Sequence, residues 1–279
     1  MIVIKTISEI RKQLAGARNI GFVPTMGALH EGHLSLVRLS KERCAKTVVS
    51  IFVNPTQFSE SEDFSKYPRT LSDDLAMLEN EGVDIVFTPD ASEMYPEGAA
   101  TSIDVGELGR IFEGEIRPTH FAGVATVVSA LFNIVQPAAA FFGQKDLQQV
   151  AVIKKMVRDL HIPTEIVVGE TIREADGLAM SSRNRYLTES EREESLVLFR
   201  TLKMTRDEIE SGMNPQDAML AGKKFFSEIA GKALIDYLAV VDPETFQIPN
   251  SFKPMQSVGI VIAAKLGATR LIDNILVTA

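Results

Sequence analysis

Short apolar, β-branched runs recur at residues 20–23, 47–53, 84–88, 138–142 and 165–168, and stretches with helical apolar spacing lie between them. Those stretches are residues 34–46, the Leu71, Leu75, Leu78 series, residues 124–135 and residues 147–160. Continuous apolar strands alternating with amphipathic helices predict a parallel sheet covered on both faces, a doubly wound α/β arrangement. After about residue 176 the rhythm changes. A long charged helical stretch over 189–211 and a helix over 215–230 precede three strand-like runs, at 234–241, 258–264 and 270–276. Asp242-Pro243-Glu244-Thr245 and Gly267 supply turns there, so a smaller C-terminal α+β domain is predicted. Residues 98–119, rich in Gly, read as an irregular crossing loop.

Four loops follow predicted strand ends: residues 24–33, Asn54-Pro55-Thr56-Gln57, Gly143-Gln144-Lys145-Asp146 and the stretch after Gly169. In open parallel sheets ligands bind beyond the carboxyl ends of strands, so these loops are expected to converge on one crevice. The first of them, Pro24-Thr25-Met26-Gly27-Ala28-Leu29-His30-Glu31-Gly32-His33, sets two imidazoles around a glycine where a strand passes into a helix. Free backbone N–H groups and the positive end of the helix dipole favour anions at such a point, and two His can add donors. Two other readings of HxGH stand beside this one. A zinc pair would need ligands that four His and one Cys hardly supply, and two solvated turn residues are the plain alternative.

A second constellation tips the balance towards phosphate. Asp176-Gly177-Leu178-Ala179-Met180-Ser181-Ser182-Arg183 brings two hydroxyls and a planar, multidentate guanidinium together after a flexible glycine. On their own, Ser181 and Ser182 would be helix caps and Arg183 a surface charge.

Composition narrows the setting. The chain has 279 residues, is 45% hydrophobic and carries a formal net charge of −8. It can bury a large core, and the acidic balance speaks against nucleic-acid or anionic-membrane binding. One cysteine, Cys44, forms no internal disulfide, and the N-terminus shows no signal-peptide pattern, so a cytoplasmic setting is expected.

Six motifs in order carry a resemblance over nearly the whole chain: PTMGALHEGH (24–33), FVNPTQF (52–58), YPRTLSDDL (67–75), RPTHFAGVATVV (117–128), FFGQKDLQQ (141–149) and READGLAMSSRNRYL (173–187). The chain resembles the HxGH nucleotidyltransferases and, within them, the pantothenate synthetase family. The resemblance implies a Rossmann-like sheet in an ATP- and pantoate-binding domain over 1–176, with a smaller lid domain over 177–279. It implies ATP-dependent joining of pantoate to β-alanine through pantoyl adenylate, with Mg²⁺, in a homodimer. Catalysis would fall to His30, His33, Lys145 and Arg183, with His33 as proton donor. Met26, Gly27, Gly32, Gly143, Asp146, Ile172, Met180, Ser181 and Ser182 would complete the ATP site.

By the same resemblance Gln57 and Gln149 would hold pantoate, since amides recognise hydroxyl and carboxylate together, although solvent exposure is the commoner state of a Gln. Asn54, Arg117 and His120 would border the substrates, with an ion-paired loop anchor as the alternative for Arg117. Asp73 and Asp74 match an acidic pair near Mg²⁺, acting through water; Met77, one turn on, stands where some relatives have Gln. Two rivals remain: a transferase acting on a phosphorylated acceptor, which would need a basic pocket in place of the two Gln, and a non-catalytic ATP sensor.

Overall fold

The computed structural model describes residues 1–58, 64 and 67–279. It divides into two compact units: Met1–Gly143 with Val152–Glu170, and Gln144–Ala151 with Thr171–Ala279.

The first unit is built on a six-stranded parallel sheet. Its strands are β1 (Ile2–Ile4), β2 (Ile20–Thr25), β3 (Lys46–Ile51), β4 (Ile85–Phe87), β5 (Ala139–Gly143) and β6 (Glu165–Gly169). Their spatial order is β1-β4-β3-β2-β5-β6. The chain order therefore reverses between β2 and β5, the switch point at which doubly wound sheets bind nucleotides. The β2–β5 ladder pairs Gly21 with Ala139 and Phe22 with Ala140 and goes no further. Pro24, which has no N–H to give, stands beyond that ladder, which is how a central strand tolerates it.

Helices α1 (Ile7–Leu14), α2 (Glu31–Arg43), α3 (Leu71–Asn80), α4 (Ala91–Met94), α5 (Glu113–Ile116), α6 (His120–Val135) and α7 (Leu147–Asp159) connect the strands. The doubly wound expectation holds, with three local differences. The sequence reading passed over β1 and α1; Thr6 caps α1, and its Ile10 and Leu14 are buried. α2 begins earlier than expected because His30 caps it, and it ends before Cys44 because Lys46 already pairs with Ile20 in the sheet. The 98–119 crossing contains a 3₁₀ turn at Gly106–Gly109 and the short α5. Burial pushes the Cys44 thiol up, so it stays protonated.

The second unit carries α8 (Glu189–Glu194), α9 (Leu196–Glu210) and α10 (Pro215–Ile229) with an antiparallel sheet, β7 (Leu234–Val241), β8 (Ser257–Leu266) and β9 (Thr269–Thr278), in the order β7-β8-β9. The single helix expected over 189–211 is interrupted at Ser195, whose hydroxyl donates to the Arg192 carbonyl and so diverts that turn. Leu198, Leu202, Phe226, Leu238, Val240, Ile260 and Ile262 form the core here.

Phe22, on the central strand, is fully buried and meets Phe132 of α6 edge-on at 6.3 Å. Phe22→Ala is expected to cost about 3–5 kcal/mol of stability, read as a lower urea midpoint with an unchanged slope by circular dichroism.

Candidate active site

The turn after β2 is held amide by amide. Thr25 Oγ1 donates to the Ser50 carbonyl at 2.8 Å and accepts from Gly27 N at 3.2 Å. Gly27 and Ala28 both take positive φ, 82° and 51°. The next two N–H groups, of Ala28 and Leu29, donate to Asp74 Oδ2 and Oδ1 at 3.0 and 2.8 Å. His30 then caps α2: its Nδ1 accepts from Gly32 N at 3.2 Å, while His33 Nδ1 accepts from His30 N at 3.3 Å. The absent side chain at Gly32 allows this, because a Cβ there would lie 3.0 Å from the His30 ring.

The two rings lie 4.1 Å apart. With both Nδ1 atoms accepting from backbone, each neutral ring carries its proton on Nε2. The side-chain donors of this turn are thus imidazole N–H groups. Of the backbone N–H groups that the sequence placed at this helix start, those of Gly32 and His33 are taken up by His30 itself.

Asn54 was expected beside the substrates, and the structure turns its side chain inward. It is 1% exposed. Its Oδ1 accepts from Thr56 N, Thr56 Oγ1 and Tyr95 Oη, and its Nδ2 donates to the Gly123 carbonyl. It thereby caps the 3₁₀ turn Pro55–Gln57. α6 closes on that turn through Gly123, where a Cβ would lie 2.4 Å from the Thr56 carbonyl oxygen. Gln57 is buried, against the exposure usual for its residue type. Arg117 Nη2 and His120 Nδ1 reach its carbonyl at 3.3 and 3.2 Å, and Arg117 Nη1 lies 3.2 Å from His120 Nε2. These residues fix where Gln57 stands. Tyr95, which sequence reasoning missed, orients Asn54; burial pushes its phenol up, so it remains a donor.

At the end of β5, a Cβ on Gly143 would meet nothing within 4 Å, which leaves room at the switch point. Asp73 and Asp74 share the first turn of α3. Asp73 faces solvent while Asp74 is buried on the β2 turn. No group of three or more His, Cys, Asp or Glu among the described residues forms a metal cluster.

In the second unit, Arg173 and Ala179 pair across a narrow antiparallel bridge, and Met180 N donates to the Ile172 carbonyl at 3.0 Å. The bridge delivers Ser181, Ser182 and Arg183 from a fixed base. Ser181 Oγ accepts from Arg183 N, starting the 3₁₀ turn Ser182–Tyr186. Arg173 anchors the base: its guanidinium forks onto Asp273 at 2.7 and 2.9 Å, donates to the carbonyls of Gly177 and Asn274, and stacks 4.1 Å above Phe199. Burial pushes the Asp273 carboxyl up, and Arg173 pulls it back. Asn274 Nδ2 donates to the carbonyls of Gln144 and Lys145, which places the Lys145–Asp146 turn. One concavity of this unit is lined by Lys145, Ala179, Ser181, Arg183, Asn184 and Asp273. Gln149 lies half-buried on α7. The Arg173–Asp273 pair was not singled out from sequence. Its signal was an Asp in the otherwise apolar run Leu271-Ile272-Asp273-Asn274-Ile275-Leu276-Val277.

A doubly wound sheet with a self-capped HxGH turn at its switch point defines the class of HxGH nucleotide-binding enzymes. Comparison with known proteins resolves the class further. The model of the pantoate-beta-alanine ligase family matches residues 2–276, and the chain belongs to that family. It is 54% identical to a pantothenate synthetase of Acidobacterium capsulatum over 96% of this chain and 89% of that one. A crystal structure of pantothenate synthetase from Thermus thermophilus is 44% identical and superposes with a TM-score of 0.94, covering 99% of both chains. That of the Francisella tularensis pantoate-beta-alanine ligase, complexed with beta-gamma ATP and beta-alanine, gives 0.81 at 34% identity over 99% and 97%.

Arg173→Met would leave Asp273 buried without its counter-charge and is expected to destabilise the second unit by about 3–5 kcal/mol. Thermal unfolding followed by circular dichroism checks this. Arg173→Lys, which keeps the charge but not the fork, should fall between Met and wild type.

Proposed function

We propose that this ligase activates pantoate through His30, His33, Lys145 and Arg183. In the family's reaction a carboxylate oxygen of pantoate bonds to the α-phosphorus of ATP as the bond to pyrophosphate breaks. The β-alanine nitrogen then bonds to the acyl carbon of pantoyl adenylate and loses a proton, and AMP leaves with the acyl C–O electron pair. No bond to the protein is required.

Charge builds on the α-phosphate and on pyrophosphate in the first step, so prearranged donors aimed there act most strongly in the transition state. The observation that carries the reading is the pair of Nε2–H groups fixed by backbone bonds to both Nδ1 atoms. His33 is assigned as proton donor, and Lys145 and Arg183 as cationic clamps on phosphate. Met26, Gly27, Gly32, Gly143, Asp146, Ile172, Met180, Ser181 and Ser182 are assigned to ATP. Gln57 and Gln149 are assigned to pantoate, with Asn54, Arg117 and His120 acting on the substrate through the position of Gln57. Neither Gln offers a charge for a phosphorylated acceptor, which favours a small polyol acid.

Mg²⁺ would reach the protein on the nucleotide. Asp74 already meets two N–H groups and a hydroxyl while Asp73 stands exposed, which supports contact with Mg²⁺ through water from Asp73 rather than direct ligation by Asp74. Mg²⁺ commonly keeps its waters and takes phosphate oxygens as ligands.

The proposal extends to a cytoplasmic homodimer, with residues 1–176 as the ATP- and pantoate-binding domain and 177–279 as the smaller domain. Among the described residues no helix is long and apolar enough to cross a membrane.

Pyrophosphate release from ATP and Mg²⁺ tests the reading. It should depend on pantoate and accelerate with β-alanine. His33→Ala should lower kcat about 10²- to 10³-fold, the loss typical of one transition-state donor, and Gln57→Ala should raise KM for pantoate. Release independent of pantoate would contradict the assignment, and wild-type kinetics in both variants would contradict the site.

A further inference from the structure

The concave, positive-φ turn at Gly27-Ala28 has the form of an anion nest, two successive residues whose following N–H groups point at one spot. The spot is filled from within the same unit. Asp74 Oδ2 and Oδ1 take the N–H groups of Ala28 and Leu29, and the Thr70 hydroxyl lies 3.2 Å from both oxygens. The carboxylate is 1% exposed, and a Cβ on Gly27 would stand 3.0 Å from its Oδ2. A left-handed conformation at Ala28 is unfavourable for an L residue and persists only where its surroundings impose it. The residue after the clamped pair is His30, whose ring and whose N–H to His33 set both imidazoles.

We propose that Asp74 is a positioning residue for catalysis: it holds the strained Gly27-Ala28 turn and thereby aims the Nε2–H groups of His30 and His33, without ligating a metal. The proposal rests on the assignment of those two imidazoles to phosphate. Asp74→Asn is close in shape but turns an NH₂ group towards one of the two backbone N–H groups. It removes an acceptor and loosens the turn.

The test is steady-state kinetics of the full-length enzyme, as wild type, Asp74→Asn, His33→Ala and the double variant, with Mg²⁺ titrated in each. Asp74→Asn should lower kcat about 10- to 100-fold, the scale of a small misplacement of a catalytic group. KM for pantoate and the Mg²⁺ concentration for half-maximal rate should stay near wild type. In the His33→Ala background the same change should cost less than it does in wild type, the remainder acting through His30. Ala28→Gly, which removes the strain, should restore part of the rate of Asp74→Asn. Thr70→Val should move kcat in the same direction by less, and it serves if Asp74→Asn does not fold.

A raised Mg²⁺ requirement, with kcat recovered at saturating Mg²⁺, would make Asp74 a metal ligand and overturn the proposal. So would a full, multiplicative loss in the His33→Ala background, or wild-type kcat in Asp74→Asn. A silent His33→Ala would sink the phosphate assignment instead. The Ala28→Gly rescue does not pass through His33 and still decides the clamp.

Discussion

The bond between the Asp74 carboxylate and two consecutive N–H groups is the constraint on which the β2–α2 turn depends. It ties α3 to a turn that would otherwise relax out of positive φ at Ala28. Everything downstream inherits that tie: His30 caps α2 from a fixed position, His33 caps back, and each ring gives its Nδ1 to a backbone N–H. Burying an acidic side chain is costly unless its oxygens are well served, and here the turn serves both.

The same economy of parts recurs elsewhere. Asn54, satisfied by Tyr95, Thr56 and Gly123, leaves Gln57 on a braced 3₁₀ turn. Arg173, forked onto Asp273 beneath the bridge to Ala179, gives the Ser181-Ser182-Arg183 segment a rigid base in the second unit. In each case a residue assigned to the chemistry stands next to one whose polar atoms are spent on holding the backbone in place.

That division explains what could be read from the sequence. The central strands, the helices between them and the small antiparallel domain follow from apolar periodicity, and the ordered motifs pointed to the family. The roles of Asn54, Arg117, His120 and Asp74 were not legible. They turn on which polar atoms are used up by residues 41 or more positions distant, such as Asn54 with Tyr95 or Asp74 with Ala28. Helix limits slipped for a related reason: α2 ends where Lys46 is drawn into pairing with Ile20, and Ser195 interrupts a pattern that reads as continuous. Asp273 carried a readable sign, a charge within an apolar strand, but its partner Arg173 lies 100 residues away.

The most direct measurement is amide hydrogen exchange at Ala28 and Leu29 by NMR, in wild type and Asp74→Asn. Both amides are expected to be protected in wild type and to exchange faster by about tenfold or more in the variant, with Phe22 and Val23 of β2 unchanged. Equal exchange of Ala28 and Leu29 in the two proteins, or a loss of protection spread evenly along β2, would contradict this dependence on Asp74.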